Sequence, residues 1–465
     1  MDYKGYEVII GLEVHAELNT KTKIYCSCKN EFGLEVNSQC CPVCMGMPGT
    51  LPTLNGKVVE YAVKMGYALG CTINPVCKQD RKNYFYPDLP KAYQISQYDI
   101  PLCEHGHLDI LVDGEERRIG ITRIHIEEDA GKLIHDDSFS GTLVDFNRCG
   151  VPLIEIVSEP DLRSSKEAKV YLDTIRSILI YLGISDGKMQ EGSIRCDINV
   201  SVHKPGEPFG TRVEMKNVNT FSGAVRAIDY EAARQIEVLE AGGTISQETR
   251  RWDDAKGENV LLRSKEDAQD YRYFPEPDLS TIVLEESELA AIKATIPELP
   301  NKKLVRYMKD FGLPEEDAHL LVDQQEKAAF FEELTALNKV KPKNASNWIL
   351  GDISRLTNET GKTIAELGIS APALADLIAL TEGNKISSSV AKSVFEEMLK
   401  TGKTAGEIVK EKGLEQVSDT DALQAIVDQV AAANQKSIDD YRGGKTNALG
   451  FLVGQCMKVS KGKGN

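Results

Sequence analysis

The chain has 465 residues, 41% hydrophobic and 27% charged, with 11 cysteines and a net charge of −16. This length implies two to four domains rather than one core, and the composition argues against a disordered chain. No run approaches the roughly 18 apolar residues of a spanning helix, no signal-peptide pattern opens the chain, and the acidic total taken alone counts against an indiscriminate nucleic-acid binder, so a cytoplasmic globular protein is expected.

Over 7–18, Val8, Ile10, Leu12, Val14 and Ala16 alternate with residues that include Glu13, His15 and Glu17. Period two predicts a strand with one packed face and one polar face. Cys26 and Cys28 follow, then a twelve-residue spacer, then Cys41 and Cys44. Two close thiol pairs across a short loop are the pattern of a closed, structural tetrathiolate zinc site. Cys40 competes with Cys41 for the third position, and the Cys-x-x-Cys bite favours Cys41. The remaining six cysteines are scattered singly and read as small core residues. A helix is predicted over 57–69, stopped by Gly70.

Between Arg123 and Asp161 acids and bases concentrate. A carboxylate such as Glu155 inside an apolar strand is costly to bury unless it is paired or binds a metal. With Glu13, His15 and Asp197 it makes a set of mostly hard ligands suited to Mg²⁺. Arg148, Arg195 and Lys216 could then cover phosphate charge. A second helix is predicted over 166–181, with Ser164 as N-cap, Glu167 three residues on and Gly183 at its end. Strands follow at 194–203, with Arg195 and Asp197 opposite Ile194, Cys196 and Ile198, and at 211–218, with Glu214 and Lys216 opposite Val213 and Met215. A third helix spans 223–239 and stops at Gly242 and Gly243. One polar strand face is ordinary solvent exposure; three of this kind point to a site on a largely antiparallel sheet.

Near Pro297 and Pro300 the texture changes to helical periodicity, which sets a boundary at 296–300; a weaker one falls at 401–404. Gly-Lys-Thr occurs at Gly361, Gly402 and Gly444, but the glycine a P-loop needs five positions earlier is replaced by Leu356, Glu397 and Asp439. From Arg442 to Asn465 there are five Lys/Arg and no acid, a basic end that reads either as a local contact for a nucleic acid or as a solvated flexible end.

The strings GLEVH (11–15), YFYPDLPK (84–91), HIEEDAGK (125–132), NRCGVPLIEIVSEPD (147–161), GSIRCD (192–197), KNVN (216–219), RSKED (263–267) and YRYFPEPD (271–278), with the thiol pairs, resemble the B subunit of the aspartyl/glutamyl-tRNA(Asn/Gln) amidotransferase over essentially the whole chain. The resemblance implies an α+β protein. A mostly antiparallel first domain of the glutamine-synthetase and guanido-kinase type would cover 1–293, with the zinc loop at 26–44. An all-α helical domain at 294–402 and a small helical tRNA-binding tail at 403–465 would follow. The family's tail continues into another helix where this chain stops at Asn465, so a truncated tail is expected.

The implied chemistry is ATP- and Mg²⁺-dependent phosphorylation of the side-chain carboxylate of Glu-tRNA(Gln) or Asp-tRNA(Asn), then amidation by ammonia. The family's metal ligands map onto His15, Glu128 and Glu155, with Glu13, Asp197 and Glu214 as further acidic contacts. Glu128, Glu155, Arg195 and Lys216 are thus the expected catalytic groups. The ammonia would come from a partner amidase, the A subunit, with a small C subunit completing a heterotrimer. This chain shows no serine or cysteine nucleophile with a local base, so glutamine hydrolysis is not expected on it. Lys82 and Lys91 beside the tyrosine run at 84–86 are candidate walls of a nucleotide pocket or ammonia path. Two other readings remain open: a metal-dependent kinase or ligase acting on a free amino acid, and a non-catalytic zinc-ordered tRNA-binding scaffold.

Overall fold

The computed structural model describes residues 3–135, 140–264, 270–416 and 420–459. The chain divides into two compact units, Met1–Lys302 and Lys303–Asn465. The first carries sixteen strands among the described residues: β1 (Glu7–Glu17), β2 (Thr72–Ile73), β3 (Val76–Cys77), β4 (Asp80–Asn83), β5 (Tyr93–Ser96), β6 (Cys103–Val112), β7 (Glu115–Glu128), β8 (Lys132–His135), β9 (Thr142–Asp145), β10 (Pro152–Ser158), β11 (Ile194–His203), β12 (Val213–Val218), β13 (Glu248–Asp253), β14 (Glu258–Ser264), β15 (Phe274–Pro275) and β16 (Ile282–Val283). Nine form one sheet in the order β14-β13-β12-β11-β1-β10-β7-β6-β2. Every pairing in it is antiparallel except β12 with β13.

The alternation read in the sequence is what builds the sheet. Val8, Ile10, Leu12, Val14 and Ala16 are all buried. Ile194, Cys196, Ile198, Val200 and Val202 on β11 and Ile154 and Ile156 on β10 join them in one core. Three helices contribute to that core: α1 (Gly56–Ala68), α2 (Ser165–Tyr181) and α3 (Phe221–Glu240). Each is capped at its N-terminus by a side chain that accepts a backbone N–H, Asn55 from Lys57, Ser164 from Glu167 and Thr220 from Gly223. The predicted bounds hold to within two residues, and Gly183 and Gly242 take the left-handed φ of 67° and 77° that stops α2 and α3. A fourth helix, α4 (Glu286–Ala294), closes this unit before the Pro300–Phe311 helix.

With the helices on one face, the other face of β11, β1, β10 and β7 is left to polar residues. The second unit is helical throughout its described residues, interrupted by a short π-helix at Ile349–Ile353. It ends in the Asn447–Val459 helix, and residues 460–465 of the basic tail lie outside the described residues. No helix among the described residues is long and apolar enough to cross a membrane.

Candidate active site

Register alone brings the key side chains together. His15 on β1 faces Arg195 on β11 and Glu155 on β10, and Glu155 faces His125 on β7. These four residues therefore form a row across four adjacent strands on one face. His15 Nε2 stands 4.0 Å from a Glu155 oxygen, and His15 Nδ1 stands 4.0 Å from Glu127. His125 Nε2 reaches the same two carboxylates at 3.3 and 3.6 Å. Burial would push the His125 imidazole down, but Glu155 and Glu127 outweigh it and hold it up at about 9. Burial would likewise raise Glu155; the two histidines and Lys82 hold it well below the usual carboxylate range. Nδ1 of His125 is buried without a partner.

His15, Glu127 and Glu155 can each offer one ligand atom, all within 4.8 Å of one another. Glu128 is not brought there. Successive residues of a strand face opposite sides, and β7 presents His125 and Glu127 to the site while turning Glu128 away. The Glu128 carboxylate instead pairs with the Lys91 ammonium and accepts the Ile95 N–H at 3.0 Å. Lys91 and Glu128 share a small cavity of about 90 Å³ with Cys26 and Cys44. Glu127 thus stands where the sequence reading placed Glu128.

A second group lies on the same face. Glu13, Asp197 and Glu214, from β1, β11 and β12, also bring one oxygen each within 4.8 Å of the others. Lys216 holds Asp197 at 2.6 Å and Glu214 at 3.1 Å, and Asn199 donates to Glu13 at 3.1 Å. Burial first, then Glu155, Asp197 and Glu214, raises the Glu13 carboxyl against the pull of Lys216. Three carboxylates crowded around one ammonium carry excess negative charge, the condition a divalent cation relieves. Beside them a cavity of about 340 Å³ is walled by Ile9, Gly11, Val157, Pro160 and Phe209, with Arg212 at its edge.

Arg195 holds Asp129 at 2.6 Å. Arg148 donates to the Ala130 and Gly131 carbonyls at 3.0 and 2.7 Å and lies 3.5 Å from Asp129. Its guanidinium therefore braces the turn after β7 and, among the described residues, forms no ion pair with either candidate ligand group.

Lys82, a candidate wall residue by its sequence context, is set by a segment distant along the chain. The segment from Tyr271 to Glu276 returns to β4: Phe274 opposes Arg81, the Asn83 N–H donates to the Tyr271 carbonyl at 2.9 Å, and Arg81 clasps Glu276 at 2.6 and 2.8 Å. Of the matching string at 263–267, residues 265–267 lie outside the described residues.

The thiols of Cys26, Cys28, Cys41 and Cys44 converge within 4.8 Å, and Cys40 stands apart with its thiol 3.2 Å from the Asn37 carbonyl. The Cys26 thiol, hydrogen-bonded to Cys44, holds Cys44 down at about 5. The Cys41 N–H donates to Cys44 Sγ at 3.1 Å, and Lys23 approaches the same sulfur at 3.8 Å. Four sulfurs with a backbone donor and a buried cation fit a closed thiolate metal site. Of the six scattered cysteines expected in the core, Cys71, Cys77, Cys103, Cys149 and Cys196 are buried, whereas Cys456 is only partly so.

Residues 8–290 match the family described as GatB/GatE catalytic domain, and residues 329–465 match the GatB domain family. Relatives named as the B subunit of aspartyl/glutamyl-tRNA(Asn/Gln) amidotransferase are similar over nearly the full length. That of Caldicellulosiruptor saccharolyticus is 58% identical, over 99% of this chain and 96% of its own length. That of Thermoanaerobacter pseudethanolicus is 56% identical, over 99% and 97%. That of Syntrophotalea carbinolica is 50% identical, over 99% and 96%.

Proposed function

Starting from a chain that belongs to the GatB/GatE family, and so is a B subunit of a ligase-class amidotransferase, we propose that the polar sheet face activates the side-chain carboxylate of Glu-tRNA(Gln) or Asp-tRNA(Asn). The observation that carries this reading is the pairing of two ligand groups on one rigid face: His15, Glu127 and Glu155 beside Glu13, Asp197 and Glu214. We read the first unit as a cradle of the glutamine-synthetase and guanido-kinase type, residues 294–402 as a helical domain, and 403–465 as the tRNA-binding tail.

A carboxylate is a poor electrophile. Transfer of the terminal phosphoryl group of ATP joins one carboxylate oxygen to phosphorus, releases ADP and leaves an acyl phosphate. Ammonia then adds to the acyl carbon and phosphate departs, which gives the amide. When bound, Mg²⁺ would neutralise triphosphate oxygens and hold them in line. Glu13, Asp197 and Glu214 supply all-oxygen ligands for such an ion, and His15, Glu127 and Glu155 supply a mixed nitrogen and oxygen set. Lys216 and Arg195 stand beside the two sets and cover phosphate charge as it develops. The apolar cavity at Phe209 suits the base of the nucleotide, because it opens beside Glu13 and Asn199.

The four thiols would hold a structural zinc that fixes the loop against the chamber containing Lys91 and Glu128. The sequence pairs no serine or cysteine nucleophile with a local base, so the chain would take ammonia from a partner amidase, the A subunit, with the small C subunit completing the assembly. The decisive experiment omits glutamine. The assembled enzyme, given ATP, Mg²⁺ and misacylated tRNA, should form ADP only when the esterified amino acid is present. Equal ADP formation from free glutamate without tRNA would instead favour a free amino acid kinase.

A further inference from the structure

Most cations around the site already hold a carboxylate. Arg195 has Asp129, Lys216 has Asp197 and Glu214, and Lys91 has Glu128. Lys82 differs. Its partly buried ammonium makes no ion pair or hydrogen bond with a described residue. What surrounds it is aromatic. The Tyr271 ring centroid lies 4.8 Å from Nζ, Tyr84 meets Tyr271 edge-on at 5.9 Å, and Tyr273 follows at 6.1 Å.

This collar is built rather than incidental. Strand pairing of Phe274 with Arg81 and the Asn83 to Tyr271 hydrogen bond fix the tyrosines over β4. Burial would strip the proton from Lys82, but Glu127 and the Tyr273 phenol, then Glu155 and Tyr271, hold its basicity above the usual value. The group is thus a cation within electrostatic reach of Glu127 and Glu155, and β5, the strand paired with its own, hydrogen-bonds Glu127 through Ser96. A cation meant only to offset those acids would pair with one of them, as Lys216 does with Asp197. An ammonium set over the Tyr271 ring and left without an anion among the described residues is prepared for one that arrives.

We propose that Lys82, inside its tyrosine collar, grips the acceptor: the side-chain carboxylate of the esterified amino acid, and then the acyl phosphate made from it. This rests on the function proposed above. Lys82 keeps its proton throughout. It donates to the carboxylate oxygen that does not attack phosphorus, and so aims the attacking oxygen. When ammonia adds to the acyl carbon, the same ammonium faces the charge that develops on the carbonyl oxygen.

The test uses the assembled enzyme with K82M, which removes the charge, and K82R, which keeps it. K82Q replaces K82M if the thioether chain prevents folding. With misacylated tRNA and no glutamine, K82M should lower the rate of ADP formation by roughly 100-fold or more. Its ATP KM, tRNA affinity and Mn²⁺ half-saturation should stay within about twofold, and K82R should recover roughly tenfold of the loss. A K82M rate near wild type would overturn the proposal. So would a loss tracked by weakened Mn²⁺ activation, since that marks a residue serving only the metal set. If the wild-type enzyme formed no ADP from misacylated tRNA, the parent reading would fail instead.

Discussion

His15 and Glu155 face each other directly across β1 and β10, and His125 reaches the same Glu155 oxygen at 3.3 Å from the strand beyond. One carboxylate thus stands between two imidazoles. Of the two, only His15 belongs to a candidate ligand group; His125, held up at about 9, serves the pair of carboxylates as a buried cation.

The neighbouring acids of β7 give the first prediction. Glu127→Gln should lower tRNA-dependent ADP formation by about 100-fold, the scale of losing one charge-stabilising group. Glu128→Gln should leave that partial reaction within a few-fold, because its carboxylate faces Lys91 instead. Rapid-quench measurement of ADP without glutamine separates the two, and equal losses would mean that the strand parity does not govern the site.

Cys41→Ser combined with Cys44→Ser should remove bound zinc. The expected result by elemental analysis is about one zinc per wild-type chain and almost none per variant, with faster proteolysis of the 26–44 loop. Full zinc retention by the double variant would discard the thiol assignment.

Glu17 gives a pH signature. Burial, then Asp129, raises its carboxyl to about 8, against the pull of Arg195 and Arg148. The folded chain therefore keeps a proton that the unfolded chain has lost above its ordinary value of 4.5. Folded stability is penalised increasingly as pH rises from there toward about 8, and no further beyond. Glu17→Gln should gain melting temperature over wild type across that window, in buffer without added divalent ions. An advantage that shrank as pH rose would contradict the assignment.

The Arg81–Glu276 clasp anchors the tyrosine collar. Both side chains are largely withdrawn from water, Glu276 completely. Arg81→Met leaves that carboxylate buried and unpaired, a loss of roughly 3–5 kcal/mol. Chemical denaturation should show it. Tyrosine fluorescence should shift in the native state as Tyr271 and Tyr273 loosen.

If the tail holds tRNA as proposed, its described basic residues Arg442, Lys445 and Lys458 would contact phosphates. Changing each to glutamine should weaken tRNA binding and flatten the dependence of log affinity on log salt by up to about 0.7–0.9 for each phosphate no longer neutralised. Glutaminase activity of the assembled enzyme should not change. An unaltered salt slope would move the tRNA surface elsewhere.

Much of this site was legible because apolar and polar residues alternate over 12–17, 194–200 and 213–216, so Glu13, His15, Asp197 and Glu214 could be assigned to polar faces before any register was known. At Glu127, Glu128 and Asp129 that logic lost its grip, since three consecutive acids satisfy either parity. The signal was nevertheless present at this end of β7: Ile124 and Ile126 are apolar and fully buried, which commits Arg123, His125 and Glu127 to the other side, although the parity changes at a register shift nearer the strand's start, where Ile119 and Ile121 are buried. The setting of Lys82 could not be read at all. It depends on Phe274 returning to Arg81, across more than half of the first unit, and no local pattern encodes such a pairing.

One peptide step in β7 sends Glu127 toward the histidines and Glu128 toward Lys91 and the thiol loop. The strand is thus a partition wall whose two sides are wetted by different chemistry. Deleting a single residue upstream within it would exchange the occupants of both compartments at once, a double fault that no side-chain replacement reproduces.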